Sequence, residues 1–343
     1  MIDAIRDYFD TLTRSLGQGW NQFWFRPSGA MSLSVLRILT GLMALWLHLT
    51  LLPDLESYFG PEGMLPVETV HQLNIDPETG TSRYVFSYLT LCRTSGELQA
   101  AHAIGAVILI MFIVGAFSRV TAVLALAVVL STIHRGVMLT AEVEPILTMV
   151  MCYLCLGPTG AHLSVDRWLA RRKRFKAKES NPAAETSLED GPAPTTSAQV
   201  ATRLIQVHLA AIYAVMVLSK LLSEAWWDGE AVYWLANTSP SALVDLTWLY
   251  AYPKTIDAWT HAIVLFELSF PLLIWVPLAR PLVLSVAVVM WLSLALLTGL
   301  VPFCLMMLVA NLAFVSPLAM QAVVVRLRRQ SPAETGADGV AGG

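Results

Sequence analysis

Gln206-Val207-His208-Leu209-Ala210-Ala211-Ile212-Tyr213-Ala214-Val215-Met216-Val217-Leu218-Ser219-Lys220 decides what kind of chain this is. It lies in an apolar run from Val200 to Leu222, long enough to cross ~30 Å of hydrocarbon as a helix, yet a lysine stands near its end. A second ionisable group, Glu267, sits mid-way through another such run. A charge at membrane depth costs roughly 2.5–3.5 kcal/mol on insertion scales, so it is retained for a pathway, a pair or a reaction.

The rest of the chain has the same character. Apolar residues make up 56% of the 343 positions and charged residues 14%, with a mean hydropathy of +0.60. A soluble domain is excluded, and the expected fold is an all-α, polytopic helical bundle in a membrane. Eight spans are expected: Ser34–Leu52, Leu98–Phe117, Val120–Leu139, Pro145–Pro158, Val200–Leu222, Trp259–Pro277, Pro281–Leu297 and Pro302–Ala319. Pro145–Pro158 is short for a crossing, and Tyr84–Cys92 reads as an interfacial or re-entrant piece.

Basic residues orient the spans. Of 22 Lys and Arg, 16 fall in the N-terminal segment, the Ser118–Arg119 corner, the loop from Ser164 to Arg203, the Arg280 corner and the C-terminal tail. That asymmetry predicts both termini in the cytoplasm, with the acidic loops 53–97 and 223–258 outside, and a cell (inner) membrane as the location. Residues 1–30 read as an amphipathic surface helix rather than a cleavable signal. Two four-helix halves, 31–163 and 200–320, flank a linker, 164–199, and a tail, 321–343, follows. The linker opens on the basic cluster Arg171-Arg172-Lys173-Arg174, suited to anionic lipid, and continues as a Pro/Ala/Ser/Thr-rich stretch expected to be disordered.

The remaining chemistry-bearing residues are sparse. Cys152 and Cys155 have CxxC spacing but lie inside an apolar helix, where packing is the expected role. The seven histidines show no metal-ligand spacing, and no metal site follows. Asn237-Thr238-Ser239 is a formal glycosylation acceptor.

Gln206, Tyr213 and Lys220 recur every seven residues and share one helix face. Glu267 is expected at about the depth of Tyr213, so a Tyr213–Glu267–Lys220 cluster is permitted. The bland alternative is that Lys220 snorkels to the headgroups and that Trp226 and Trp227 are interfacial anchors. Arg37 is expected to snorkel or to serve helix packing rather than to hold a substrate, and Asn311 to hydrogen-bond a neighbouring helix.

Arg203-Leu204-Ile205-Gln206-Val207-His208-Leu209, with Ser219-Lys220-Leu221 and Trp226-Trp227-Asp228-Gly229-Glu230-Ala231, resembles the hallmark stretch of the HTTM (horizontally transferred transmembrane) domain, the membrane region of vitamin K-dependent gamma-carboxylase. Leu36-Arg37-Ile38, Phe59-Gly60-Pro61-Glu62-Gly63, Leu163-Ser164-Val165-Asp166, Glu267-Leu268-Ser269-Phe270-Pro271 and Met307-Leu308 with Asn311-Leu312-Ala313-Phe314 extend the resemblance from about Phe23 to Pro317. It implies Lys220 as a catalytic base acting on reduced vitamin K or another quinone, with Glu267 beside it. Gln206, Tyr213 and Trp227 are then expected as ligand-binding residues.

Two departures bear on chemistry. Trp291 stands where the family commonly carries a histidine, and Ala141-Glu142-Val143-Glu144-Pro145 offers none at the outer end of the fourth span. No long β-rich portion follows the last span in this sequence. The expectation is therefore a non-carboxylating membrane protein with an outer-facing polar pocket for a quinone, lipid or other amphiphile, and with no nucleic-acid partner. The alternatives are a reduced carboxylase-like enzyme acting on protein glutamate, with Glu142 or Glu144 replacing the histidine, and a transporter or membrane scaffold.

Overall fold

The computed structural model describes residues 2–76, 78–81, 87–136, 138–139, 141–180, 192–238, 243 and 247–330. Among them the secondary structure is helical, apart from isolated bridge positions at Ser28 and Thr195, which pair with each other, and at Ile75. Arg83, Tyr84, Ser239, residues 181–191 of the expected disordered linker, and residues 331–343 of the tail lie outside the described residues.

Six helices have the length and composition of membrane spans: α2 (Met31–Thr50), α5 (Ser95–Val114), α6 (Ser118–Arg135), α9 (Thr196–Leu221), α12 (Pro253–Leu273) and α13 (Arg280–Thr298). Between or beside them run α1 (Ile2–Phe25), α3 (Leu55–Phe59), α4 (Val67–Leu73), α7 (Val143–Leu154), α8 (Val165–Ser180), α10 (Glu224–Trp227), α11 (Ala231–Thr238), α14 (Val301–Asn311) and α15 (Pro317–Gln330). Local chemistry sets several ends. Thr94 and Thr195 accept hydrogen bonds from the first turns of α5 and α9, satisfying amide groups that have no intrahelical partner. Gly115 and Gly299 close α5 and α13 at φ of 70° and 71°, a left-handed turn that only glycine adopts without strain.

Helices overlap all eight expected spans, but among the described residues six have the length and composition of a span, or seven if the bent pair of α14 and α15 counts as one, and two expected spans differ. The fourth, α7, has only 12 residues, about 18 Å at the helical rise. The eighth does not run on to Ala319: the chain turns by 115° after Phe314, and α15 departs at Pro317. Proline cannot continue a preceding helix but starts one well, and Ser316 Oγ accepts from Ala319 N to cap the new helix. In the same way α9 begins at Thr196, inside the expected linker, and the basic cluster is helical in α8.

The bundle is apolar outside as well as inside. Leu282, Val286, Val289 and Leu296 form one exposed stripe on α13, and Ile104, Val107 and Val114 another on α5. Exposed apolar stripes on several long helices are what a lipid solvent requires. The two halves share one core: Leu33, Leu36 and Phe112 from the first pack in the same cluster as Ile205, Phe270 and Phe314 from the second. α1 is fastened at its C-terminal end, where Gln199 Nε2 donates to Phe23 O at 2.8 Å and the Arg203 guanidinium lies 4.3 Å from the Phe23 ring centroid. Tyr8, Phe9, Leu12, Leu16 and Trp20 are left exposed along it.

Candidate functional site

Lys220 and Glu267 form a closed ion pair. Lys220 Nζ donates to Glu267 Oε2 at 2.6 Å and to Oε1 at 2.8 Å. The carboxylate is fully buried and the lysine side chain is 14% exposed, so the pair is screened from solvent rather than snorkelling to it. Lys220 lies in the last turn of α9, where the helix dipole favours a cation, and its Nζ is 5.1 Å from the Trp226 ring centroid. Glu267 lies in α12, with Pro271 one turn further on and inside the helix.

Tyr213 belongs to a different knot. Its hydroxyl accepts from Trp291 Nε1 at 2.6 Å and from Asn311 Nδ2 at 2.9 Å, and its ring stacks on Phe270 with centroids 3.8 Å apart. Its hydrogen bonds go to Trp291 and Asn311, not to Glu267, so the permitted three-residue cluster resolves into a pair and a separate triad. Trp291 thus serves as an indole donor that joins α13 to α9 and α14. Turning the Asn311 amide over would let its otherwise unpartnered Oδ1 accept the tyrosine proton.

Gln206 lies two heptads from Lys220, about 21 Å along the helix. Its Nε2 donates to Ala313 O at 2.7 Å and its Oε1 accepts from Arg203 at 2.8 Å. Trp227 is 63% exposed and donates its indole N–H to Leu221 O. The expected ligand set is therefore spread over the length of α9 and does not converge on one point.

Arg37 is a second buried cation with a different solution. It donates to Thr159 O at 2.7 Å, to Leu163 O at 2.5 Å and to Ile113 O at 3.3 Å. These carbonyls lie at the end of α5 and in the α7–α8 turn, where helical partners run out. Next to it, Asp166 accepts from Phe117 N, Ser118 N and Ser118 Oγ, capping the start of α6. Burial raises the Asp166 pKa, but the Ser118 hydroxyl, these amides and Arg37 together outweigh it and hold the carboxyl below its usual range.

Of the cavities, the least open one lies elsewhere. A void of about 270 Å³ opens among the ends of α2, α6 and α7 and the α13–α14 turn, on the side of the acidic loops. Leu47, Val129, Leu147 and Phe303 supply apolar wall, while His48, Glu142 and Glu144 bring the titratable groups. None of Lys220, Glu267, Gln206, Tyr213 and Trp227 lines it. The contact between the two regions is indirect: Phe303 meets Trp291 edge-on at 5.5 Å.

His48 is fixed from behind. Its Nε2 is 3.0 Å from His102 O, and the two imidazoles stack with centroids 3.8 Å apart. A carbonyl only accepts, so Nε2 carries the proton and Nδ1 is the acceptor of the neutral ring. Arg135, at the end of α6, gives Nη2 to Phe59 O and packs on the Phe59 ring, but does not itself line the void. Sequence reading missed His48 as a site residue: its signal was a histidine in the last turn of an apolar span, with no motif around it.

Among the described residues, no group of three His, Cys, Asp or Glu could hold a metal ion. Comparison of the chain with protein-family models, with curated proteins and with solved structures finds no match.

Proposed function

We propose that this chain is an HTTM-like integral membrane protein that holds an amphiphile in the cavity between α2, α6, α7 and α14, with no carboxylating activity. The observation that carries the reading is the cavity itself, apolar over most of its wall and polar where His48, Glu142 and Glu144 stand. Such a division suits a molecule with a chain and a head. Both termini and the basic helix α8 are assigned to the cytoplasm by the distribution of Lys and Arg, so that the cavity opens outward.

A carboxylase-like reading draws support from the place of Glu142 and Glu144 on the cavity wall, where a replacement for the family's histidine is needed. Against it stands Lys220. A lysine that starts a reaction as a base must offer a lone pair, whereas here Nζ donates to both oxygens of Glu267 and is not on the cavity wall. The residues present do not fit reduced vitamin K with Lys220 as its base.

The test is mass spectrometry of small molecules retained by gently solubilised protein. Wild type and Lys220→Met are expected to carry the same defined amphiphile, and Thr132→Phe, which fills the cavity from α6, is expected to lose it. Identical bulk lipid in all three would reject the cavity as a ligand site. Loss from both Lys220→Met and the repacked Lys220→Met/Glu267→Leu variant, with Thr132→Phe retaining the molecule, would move the site to the ion pair.

A further inference from the structure

The polar side chains on the cavity wall are carboxylates, hydroxyls and one imidazole. Glu142 and Glu144 contribute carboxylates at the start of α7, and one Glu144 oxygen already accepts from Ala141 N. His48 contributes Nδ1, an acceptor because Nε2 is held by His102 O. The hydroxyls of Thr50 and Thr132 donate to Leu47 O and Val128 O in their own helices, leaving their lone pairs as the remaining capacity. Among the described residues, no lysine or arginine lines the void.

A mostly apolar cavity whose polar side chains are two carboxylates, two hydroxyls and an imidazole acceptor discriminates by head group. An anionic head meets carboxylates of its own sign, and a head with only acceptors meets acceptors. A head with N–H donors and a positive charge satisfies Glu142, Glu144 and His48 together, through charge-assisted hydrogen bonds about twice as strong as neutral ones. We infer that the ligand is an amphiphile with a protonated amine head, its hydrocarbon lying along Leu47, Val129, Leu147 and Phe303. The inference rests on the cavity being a ligand site, and adds the class of ligand.

The test uses three probes with one chain and different heads: octylammonium, octanol and octanoate. Each is titrated onto the full-length protein in a neutral maltoside detergent, with bound adducts counted by native mass spectrometry. Wild type is expected to prefer octylammonium over octanoate by at least about tenfold, the scale of one desolvated charge contact, with octanol between. The Glu142→Gln/Glu144→Gln double variant should bring ammonium and carboxylate to near parity while still binding octanol. These side chains are at the mouth, exposed or half-exposed, so the fold is expected to survive, and octanol binding reports that it has. Equal or stronger binding of octanoate by wild type, or an unchanged preference in the double variant, would overturn the head assignment alone. Binding of all three probes at the level of Thr132→Phe would overturn the cavity as a site, and the assignment with it.

Discussion

Arg37, fully buried, and Lys220, partly buried, are both cations within an apolar bundle, one near the basic end of α2 and one near the acidic end of α9, and their neighbours differ in kind. Arg37 is neutralised by dipoles: three backbone carbonyls from two other segments converge on its guanidinium. Lys220 is neutralised by a full opposite charge on one neighbouring helix. The guanidinium is a rigid fork that serves several acceptors at once, whereas the ammonium is a compact point charge that one carboxylate satisfies. The first arrangement makes the cation part of the fold's connectivity. The second makes it half of an exchangeable pair, which two well-packed apolar residues can replace.

The largest expected effect is therefore at Arg37. Arg37→Leu strands three carbonyls, each worth about 1–3 kcal/mol when left unsatisfied in the interior, for a loss on the order of 4–6 kcal/mol. Arg37→Lys should fail nearly as badly, because a single ammonium cannot span Ile113, Thr159 and Leu163. Size-exclusion profiles after stepwise heating measure both. If Arg37→Lys behaves as wild type, the fork geometry is irrelevant and the contrast with Lys220 is lost.

At Lys220 the single and double changes should part company. Lys220→Met leaves a buried carboxylate without a partner and should cost about 3–5 kcal/mol, while Lys220→Met with Glu267→Leu should recover most of that loss. The same heating assay decides. A double variant as unstable as either single one would mean that the pair is tied into the fold as Arg37 is, and the two regions would no longer differ in principle.

Tyr213→Phe comes next. It removes the shared acceptor of Trp291 Nε1 and Asn311 Nδ2 but keeps the ring stacked on Phe270. Two stranded donors at about 1 kcal/mol each give a loss near 2 kcal/mol. A loss as large as that of Lys220→Met would show that the tyrosine does bear on the ion pair.

These residues also show what was legible in the sequence. Apolar runs of span length reveal the helices because lipid allows little else, and a lysine and a glutamate inside two such runs permit a buried cluster without singling it out from a lysine that snorkels. Reading the last span through Ser316-Pro317 to Ala319 was avoidable, since the residue before a proline is biased away from helix. The cavity was not legible. Its walls come from the ends of α2, α6, α7 and the α13–α14 turn, and the void is what remains after those ends pack. His48 and His102 meet across 54 positions because α2 crosses α5, which no local spacing encodes.

The smallest effect sharpens the comparison at the Arg37 end. Asp166 is the only full negative charge tied to that knot by the interactions described, and it sits at the surface side rather than in the interior, so its contribution should be modest and dependent on pH. Its folded carboxyl titrates below its usual range because the Ser118 hydroxyl, the Phe117 and Ser118 amides and Arg37 outweigh burial. The stabilisation is therefore fully present above the ordinary carboxylate pKa. It declines as pH falls through the depressed folded value, because the unfolded chain takes up the proton first. Unfolding midpoints of wild type and Asp166→Asn should be separated at neutral pH and converge in acid. A separation unchanged down to the lowest pH the protein tolerates would mean that neither the hydrogen bonds nor Arg37 favours the charged form of Asp166 in the folded protein. The charge of Arg37 would then be met by backbone carbonyls with no help from a carboxylate, the widest contrast with Lys220 that these two regions allow.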